Sequence, residues 1–212
     1  MELYVNAYRG DVAEVRRLVA QGADANVPPH HGTYPLHVAA GNGDVEMVTT
    51  LVQLGADVHV QSPGGSRPLH TALSDFGFHQ RVEVISTLVQ LGADVNAQTN
   101  SGKRPLYLAV LFGGVKAVAT LLELGADVNA RSTAPCGTLG GPLHHAAMWG
   151  RVECVATLLQ AGADVHAITA RGNTALHLAN TAAIVTLLLE AGAELHRRNY
   201  DGNTPLFNTI FN

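Results

Sequence analysis

Cysteine, aromatic residues and charge are all scarce in this sequence of 212 residues. Its two cysteines, Cys136 and Cys154, are too few for a disulfide framework and lack the paired spacing of a zinc site. We therefore expect a reducing compartment, either the cytosol or the nucleus. Aromatic residues make up only 5% of the chain, with a single tryptophan, so each large ring is a candidate anchor for packing or recognition.

Charged residues make up 14% of the chain and form no block of one sign. The net charge of −4 offers no basic surface for phosphates, so we expect no nucleic-acid partner. No apolar run approaches the roughly 18 residues of a membrane span, and the first residues lack the apolar core of a secretory signal. We therefore expect neither a membrane partner nor export. Apolar residues, at 47%, suffice for a continuous core.

The most informative feature present is an internal repeat. Gly-Ala-Asp, or Gly-Ala-Glu, follows a Leu- or Val-rich stretch six times, opening at Gly22, Gly55, Gly92, Gly125, Gly162 and Gly192. The spacings of 33, 37, 33, 37 and 30 residues indicate one supersecondary unit copied along the chain. A unit of this size cannot bury its apolar face alone, so neighbouring copies must stack. We therefore expect a single elongated all-α domain.

One copy, residues 32–57, shows how each unit is built. Pro35 fits the first turn of an inner helix, and the breaker cluster 41–43 ends it. Apolar residues at helical spacing within 45–52 predict an outer helix, which Gly55 terminates in a left-handed conformation. An extended loop leads to the next copy. Paired apolar anchors recur on the outer helices at Leu18 and Val19, Leu51 and Val52, Leu88 and Val89, Leu121 and Leu122, Leu158 and Leu159, and Leu188 and Leu189.

These features resemble the ankyrin repeat, whose TPLHxAA and LLxxGADVNA signatures correspond to YPLHVAA at 34–40 and LLELGADVNA at 121–130. The resemblance covers the whole chain. It implies an ankyrin-repeat solenoid of stacked helix-turn-helix units with protruding hairpin loops, and a concave face that binds another protein. The repeats then span approximately 1–27, 28–60, 61–97, 98–130, 131–167 and 168–197, with a partial seventh at 198–212.

The sequence departs from the family pattern in four places. The threonine that caps the inner helix survives only at Thr174 and Thr204, and each loss is expected to cost about 1 kcal/mol. Four extra residues fall within 72–84 and four within 131–141, where they form surface segments able to contact a partner. The turn of repeat six is three residues short. The apolar segment 206–211 implies either a fragment or divergent cap, or an edge that pairs with another molecule.

The eleven histidines do not indicate a metal site. The resemblance assigns four of them, His37, His70, His144 and His177, to backbone bonds that tighten neighbouring repeats. The adjacent pairs His30-His31 and His144-His145 lack the i, i+4 spacing that aims two imidazoles at one ion. We therefore expect no metal and no cofactor.

Catalysis is also not expected, because each His and Asp has an explanation in the repeat and no nucleophile accompanies them. Cys154 is predicted to be core, and Cys136 a candidate exposed thiol. Glycine-rich stretches precede no Walker lysine, which argues against phosphate binding. The family's hairpin asparagine can be hydroxylated, and Asn96 and Asn129 match that position; the alternative is that each bonds its own backbone.

The candidate partner-binding residues are those just before each inner-helix turn, which the resemblance places on the concave face. They are Tyr8 and Arg9, Gly41 and Asn42, Ser74 and Asp75, Leu111 and Phe112, and Met148 and Trp149. Leu111, Phe112, Met148 and Trp149 are expected to form one apolar patch, extended by Phe76 and Phe78. Flanking cations, Arg67, Lys103, Arg104 and Arg131, could complement an acidic partner. The alternative is that the aromatic side chains fold back onto the stack.

Two classes of function remain open. The first is a free-standing, non-catalytic scaffold or inhibitor that binds a partner protein through its concave face, without a small-molecule substrate. The second is the substrate-recognition arm of a larger assembly, such as a ubiquitin-ligase adaptor or an effector. In either class we expect a monomer, with end-to-end association through the C-terminal edge as the alternative.

Overall fold

A computed structural model describes residues 2–28, 32–74, 81–112, 114–131 and 140–205. Within these ranges all regular structure is α-helical, so the predicted all-α class is confirmed. The helices are α1 (Glu2–Arg9), α2 (Val12–Ala20), α3 (Pro35–Asn42), α4 (Val45–Gln53), α5 (Pro68–Ala72), α6 (Val82–Gln90), α7 (Pro105–Phe112), α8 (Val115–Glu123), α9 (Pro142–Met148), α10 (Val152–Gln160), α11 (Ala175–Leu178) and α12 (Ala182–Glu190). None of these helices has the length and apolar character to cross a membrane.

The chain divides into two compact units. The first comprises Met1–Pro105 with Glu123–Gly125, and the second comprises Leu106–Leu122 with Ala126–Asn212. In the first unit, α3 packs between α1 and α5, while α4 packs between α2 and α6, so inner and outer helices form separate layers. In the second, α9 packs against α11, and α10 against α12. The single-domain assignment stays a prediction.

Prolines and glycines set the helix boundaries largely as the sequence predicts. Pro35, Pro68 and Pro142 each occupy the first helical turn, where the missing N–H costs no hydrogen bond. Gly55 follows α4 with φ of 93°, a conformation that a Cβ would disfavour. The breaker cluster 41–43 ends α3 at its last residue: Gly41 and Asn42 remain helical, and Gly43, with φ of 77°, is the C-cap.

The apolar stripe of the outer helices is narrower than the sequence pattern indicates. The first residue of each predicted pair is buried: Leu18, Leu51, Leu88, Leu121, Leu158 and Leu188 are all less than 9% exposed. The second residue is half-buried in five repeats, and Leu189 is 39% exposed. The helical period explains the difference, because consecutive residues are rotated by about 100° and only one can point directly at the neighbouring helix.

Leu158→Ala is therefore expected to destabilise the protein far more than Leu159→Ala. Leu158 is fully buried, so its truncation leaves a cavity in the second unit and should cost about 2 to 5 kcal/mol. The half-buried Leu159 should cost about 1 kcal/mol. Urea unfolding followed by circular dichroism measures both. Equal losses of unfolding free energy in the two variants would show that Leu159 contributes as much to the stability of the core as Leu158.

Loops between repeats form tight turns joined to each other through their backbones. In the first unit, the loop of repeat four is closed by a hydrogen bond in which Thr99 N donates to Lys103 O at 3.0 Å. Its tip bonds the preceding loop, because Asn100 N donates to Gly64 O at 3.1 Å. In the second unit, Tyr200 N donates to Arg171 O at the same distance, 3.1 Å. The tips are thus fixed relative to each other within each unit.

Repeat six is shortened as predicted. Its inner helix, α11, has four residues, whereas α3 has eight and α9 has seven. After Leu178 the chain becomes extended at Ala179, with φ of −63° and ψ of 126°, before α12 begins. The two predicted insertions and the apolar segment 206–211 fall largely or wholly outside the described residues.

Candidate functional site

Buried histidines tie the start of an inner helix to the following loop. His144 Nδ1 accepts the backbone N–H of Gly141 at 3.2 Å, and Nε2 donates to Ala167 O at 3.0 Å. His70 and His177 make the same two bonds in their repeats. Burial lowers the pKa of all three imidazoles, which favours the neutral form that this geometry uses. The predicted structural role of these histidines is confirmed.

His37 makes only one of these two hydrogen bonds. Its Nε2 lies 2.8 Å from Ser66 O, but Nδ1 is buried without a partner among the described residues. Tyr34, which stands where a capping threonine occurs elsewhere, stacks on the imidazole with ring centroids 5.6 Å apart. At His37, a stacking contact with Tyr34 therefore stands where the other histidines have a hydrogen bond to Nδ1.

A second buried histidine organises the aromatic residues of repeats four and five. His145 is 1% exposed, and its Nδ1 donates to Gly141 O at 3.0 Å. Its ring meets Tyr107 edge-on, with centroids 4.8 Å apart, and Trp149 at 5.1 Å. Tyr107 and Trp149 also meet edge-on at 6.0 Å. We call these three residues the aromatic cluster, and it lies entirely in the second unit.

Electrostatics at the aromatic cluster favour a neutral imidazole. Because a carbonyl can only accept, the hydrogen of His145 sits on Nδ1, and Nε2 is buried without a hydrogen-bond partner in the described chain. Burial lowers the pKa of His145 to about 4. Tyr107 and His145 are functional candidates that the sequence does not single out; the available signal is the i, i+4 spacing from His145 in α9 to Trp149, the residue that caps this helix.

Leu111, Phe112, Met148 and Trp149, the predicted apolar patch, are all half-buried in the second unit. The main-chain carbonyls at this end of the inner helices are bonded: Leu111 O accepts from Arg151 at 3.2 Å, and Met148 O from Asn180 at 2.9 Å. The Trp149 ring contacts the Tyr107 ring, as the folded-back alternative predicts. The side chain is nevertheless only half-buried, as an open apolar patch requires.

The first unit carries the polar candidates. Tyr8 is 64% exposed and Arg9 is exposed. Asn42 donates through Nδ2 to Tyr8 O at 3.0 Å, which secures the end of α1. Gly41 is half-buried and Ser74 is exposed, whereas Asp75, Phe76 and Phe78 lie outside the described residues.

Three of the four flanking cations make intramolecular contacts. Arg67 lies 3.8 Å from Asp94, and Arg104 donates to Asn96 O at 2.6 Å. Arg131 donates to Ile168 O at 3.1 Å in the second unit. Their guanidinium groups therefore make contacts within the protein, and a partner protein would have to bond the same groups in addition. As binding residues they stay predictions.

The hairpin asparagines bond the following repeat. Asn96 Nδ2 donates to Gly125 O at 3.2 Å in the first unit. Asn129 Oδ1 accepts from Asp164 N at 2.9 Å in the second. Asn26, which the sequence comparison of repeats overlooked, makes both kinds of bond, to Gly55 and Asp57. These amides are structural ties between neighbouring repeats.

Side chains suited to metal binding do not converge in the part of the chain that the structure describes. No group of three His, Cys, Asp or Glu residues there could hold a metal ion. Cys154 is a free, buried thiol, and burial raises its pKa to about 11, so the reactive thiolate is disfavoured. Cys136 lies outside the described ranges.

Comparison with known proteins agrees with this geometry. Models described as ankyrin repeats in three copies match residues 3–99 and 54–132, ankyrin repeats in many copies match 143–180, and a single ankyrin repeat matches 171–200. No curated protein matches the chain. Ankyrin repeats generally mediate protein–protein interactions and are generally non-catalytic.

Solved structures with the same fold include the ankyrin repeat domain of Bcl-3, a unique member of the IkappaB protein family. It is 28% identical, with a TM-score of 0.86 over 98% of this chain and 93% of that one. The human ASB11 ankyrin repeat domain is 28% identical, with a TM-score of 0.83 over 97% and 90%. An ankyrin repeat domain from Acinetobacter baumannii AYE is 25% identical, with a TM-score of 0.80 over 91% and 98%. The chain belongs to the ankyrin repeat family.

Proposed function

We propose that this protein is a non-catalytic scaffold or inhibitor that binds a partner protein through the inner-helix face of its second unit. The observation that carries the proposal is the aromatic cluster. Trp149, the only tryptophan, is half-buried and held edge-on against Tyr107 with His145 beneath it. A ring fixed in this way loses little conformational freedom on binding, so its remaining exposed surface is a low-cost anchor.

Neighbouring side chains support the same surface. Leu111, Phe112 and Met148 are also half-buried, so each keeps apolar area that a partner can cover. Interfaces are enriched in tryptophan, tyrosine and methionine, and depleted of charge at their centres. The repeat family supplies the class of ligand, a protein, since ankyrin repeats generally bind other proteins.

The test uses affinity capture with mass spectrometry to identify the partner, followed by calorimetry with the purified partner. We expect Trp149→Ala to weaken binding by at least about 2 kcal/mol, roughly 30-fold. The double variant Trp149→Ala with Phe112→Ala should lose the partner from the capture. Leu195→Ala removes an apolar side chain that is 38% exposed in a loop of repeat six, and it serves as the control.

Thermal unfolding of each variant separates binding from folding. Trp149→Ala removes ring contacts as well as interface area, so Trp149→Phe is included to keep an aromatic ring beside Tyr107. A partner that binds all variants with the affinity of the wild type would contradict the proposed surface. A variant that weakens binding only in proportion to its loss of folded protein would contradict it too.

Location and assembly complete the proposal. A free buried thiol at Cys154 is compatible with a reducing compartment, and we place the protein in the cytosol or the nucleus. We propose a monomer in solution, with association through the C-terminal edge as the alternative. Light scattering at high protein concentration distinguishes the two states, and cell fractionation tests the location.

A further inference from the structure

The shortened inner helix of repeat six leaves a recess in the second unit. Because α11 ends at Leu178, the last inner-helix turn present in α3 and α9 is missing here. The space beside it has a volume of about 640 Å³, within the range of protein ligand sites. Met148, next to the tryptophan of the aromatic cluster, forms part of its wall.

Two residues of opposite charge line the recess. Arg171 and Asp201 occupy equivalent positions in successive loops, each directly before a glycine, and both are exposed. Neither side chain has an ion-pair partner among the residues that the structure describes. The loops are close, because Tyr200 N donates to Arg171 O at 3.1 Å. The recess therefore presents one cation and one anion, from two neighbouring loops, to a ligand.

Asparagines that line the recess carry amide groups with spare hydrogen-bonding capacity. Asn180 donates through Nδ2 to Met148 O, which leaves Oδ1 as an acceptor. Asn173 accepts from Asn199 Nδ2 at 2.7 Å through Oδ1, which leaves its own Nδ2 as a donor. The side chain of Asn203 also lines the recess. Such a mixture of amide donors and acceptors matches the N–H and C=O groups of an extended peptide.

We propose that this recess binds an extended segment of the partner protein that carries one acidic and one basic side chain two residues apart. In an extended chain, side chains at i and i+2 point the same way and lie about 7 Å apart. The acidic one pairs with Arg171 and the basic one with Asp201, while the asparagines bond the segment's main chain. The inference rests on the proposed function, since the occupant is part of a protein.

The test uses four blocked hexapeptides that differ only at two positions, carrying Glu-Ala-Lys, Lys-Ala-Glu, Glu-Ala-Glu or Lys-Ala-Lys at their centre. Binding is measured by ¹H–¹⁵N NMR titration at 0.15 M salt, where the Debye length is about 8 Å and distant charges are screened. We expect wild-type protein to bind at least one mixed-charge peptide about 3- to 10-fold more tightly than either like-charge peptide. The amide signals of Asn173, Asn180 and Asn203 should shift.

Charge reversal makes the prediction specific. Arg171→Glu should change the preference to the Lys-Ala-Lys peptide, and Asp201→Lys should change it to Glu-Ala-Glu. Lys116→Glu and Glu190→Lys introduce the same charge changes at exposed positions on outer helices, and they should keep the wild-type preference. These four positions are exposed, so the folded state is expected to persist, and the NMR spectrum of each variant checks it.

The proposal is overturned if no peptide shifts the signals of the recess, if shifts occur only elsewhere, or if both reversals leave the preference unchanged. Its failure is distinguishable from failure of the proposed function. A partner that Trp149→Ala loses but that Arg171→Glu and Asp201→Lys both retain would keep the binding surface and exclude the recess from it.

Discussion

Lowering the pH from 7.5 to 5 is expected to destabilise the folded protein, with His145 alone contributing about 2 kcal/mol. Burial lowers the pKa of His145 from 6.5 to about 4, so between these values the unfolded chain binds a proton that the folded protein excludes. Stability from this residue is fully present above pH 6.5 and is lost as the pH falls toward 4. The slope is about 1.4 kcal/mol per pH unit.

Four other buried histidines add to the effect in the same direction. The pKa values of His37, His70, His144 and His177 are lowered, in each case mainly by burial. A protonated imidazole has two N–H donors and no acceptor. In the folded protein the second donor would face a backbone N–H, as at His144, or would have no partner, as at His37. Acid therefore weakens the ties between repeats.

Urea unfolding at pH 7.5, 6.5, 5.75 and 5 measures this prediction, in a range above the ordinary pKa values of Asp and Glu. His145→Asn keeps an N–H that can reach Gly141 O but does not titrate, so its stability should fall less steeply with acid, by about 1.4 kcal/mol per pH unit. His196→Asn, at an exposed position, is the control. Identical slopes for His145→Asn and the wild type would show that His145 is not held neutral.

Gly65→Ala is expected to cost about 2 to 4 kcal/mol, whereas Gly64→Ala should cost less than about 0.5 kcal/mol. Gly65 has φ of 74°, where a Cβ costs about 1 to 2 kcal/mol. An added Cβ would also lie 2.6 Å from the backbone N of Asn100. Separating the two loops would break the bonds from Asn100 to Gly64 O and Pro63 O, each worth about 1 kcal/mol.

Gly64 is a matched control for this substitution. It lies next to Gly65 in the same turn, its φ is not positive, and an added Cβ would meet nothing within 4 Å. The two variants therefore differ only in backbone conformation and in contact with the neighbouring loop. Equal free energies of unfolding for the two variants would mean that contact between loop tips contributes little to stability.

Much of the repeat architecture could be predicted because its signals are local. Pro35 and Gly55 act on their own backbone conformations, so their effect can be recognised from residue type and position. The spacing of the Gly-Ala-Asp or Gly-Ala-Glu motifs similarly predicts that neighbouring repeats stack, before any contact between them is known. The end of α3 shows the limit of such signals: of the three residues of the breaker cluster, Gly41 and Asn42 remain helical and only Gly43 leaves the helix.

The candidate site was predicted less completely. Trp149 and Met148 could be predicted because they lie just before an inner-helix turn, a position that the resemblance to ankyrin repeats places on the concave face. Tyr107 and His145 could not be predicted, because their contact joins residues of different repeats that are far apart in the sequence. The arginines illustrate the same point: the charge of Arg104 is visible in the sequence, but its bond to Asn96 O is not.

Residue types and their spacing are enough to predict the repeat, the helix pairs, the approximate positions of the turns and the three residues missing between the helices of repeat six, since each follows from local preferences. Tertiary structure alone decided which leucine of each pair is buried, that His145 is held between two aromatic rings, and that the missing turn of α11 leaves a recess. These depend on side chains that are distant in sequence and meet only when repeats pack together.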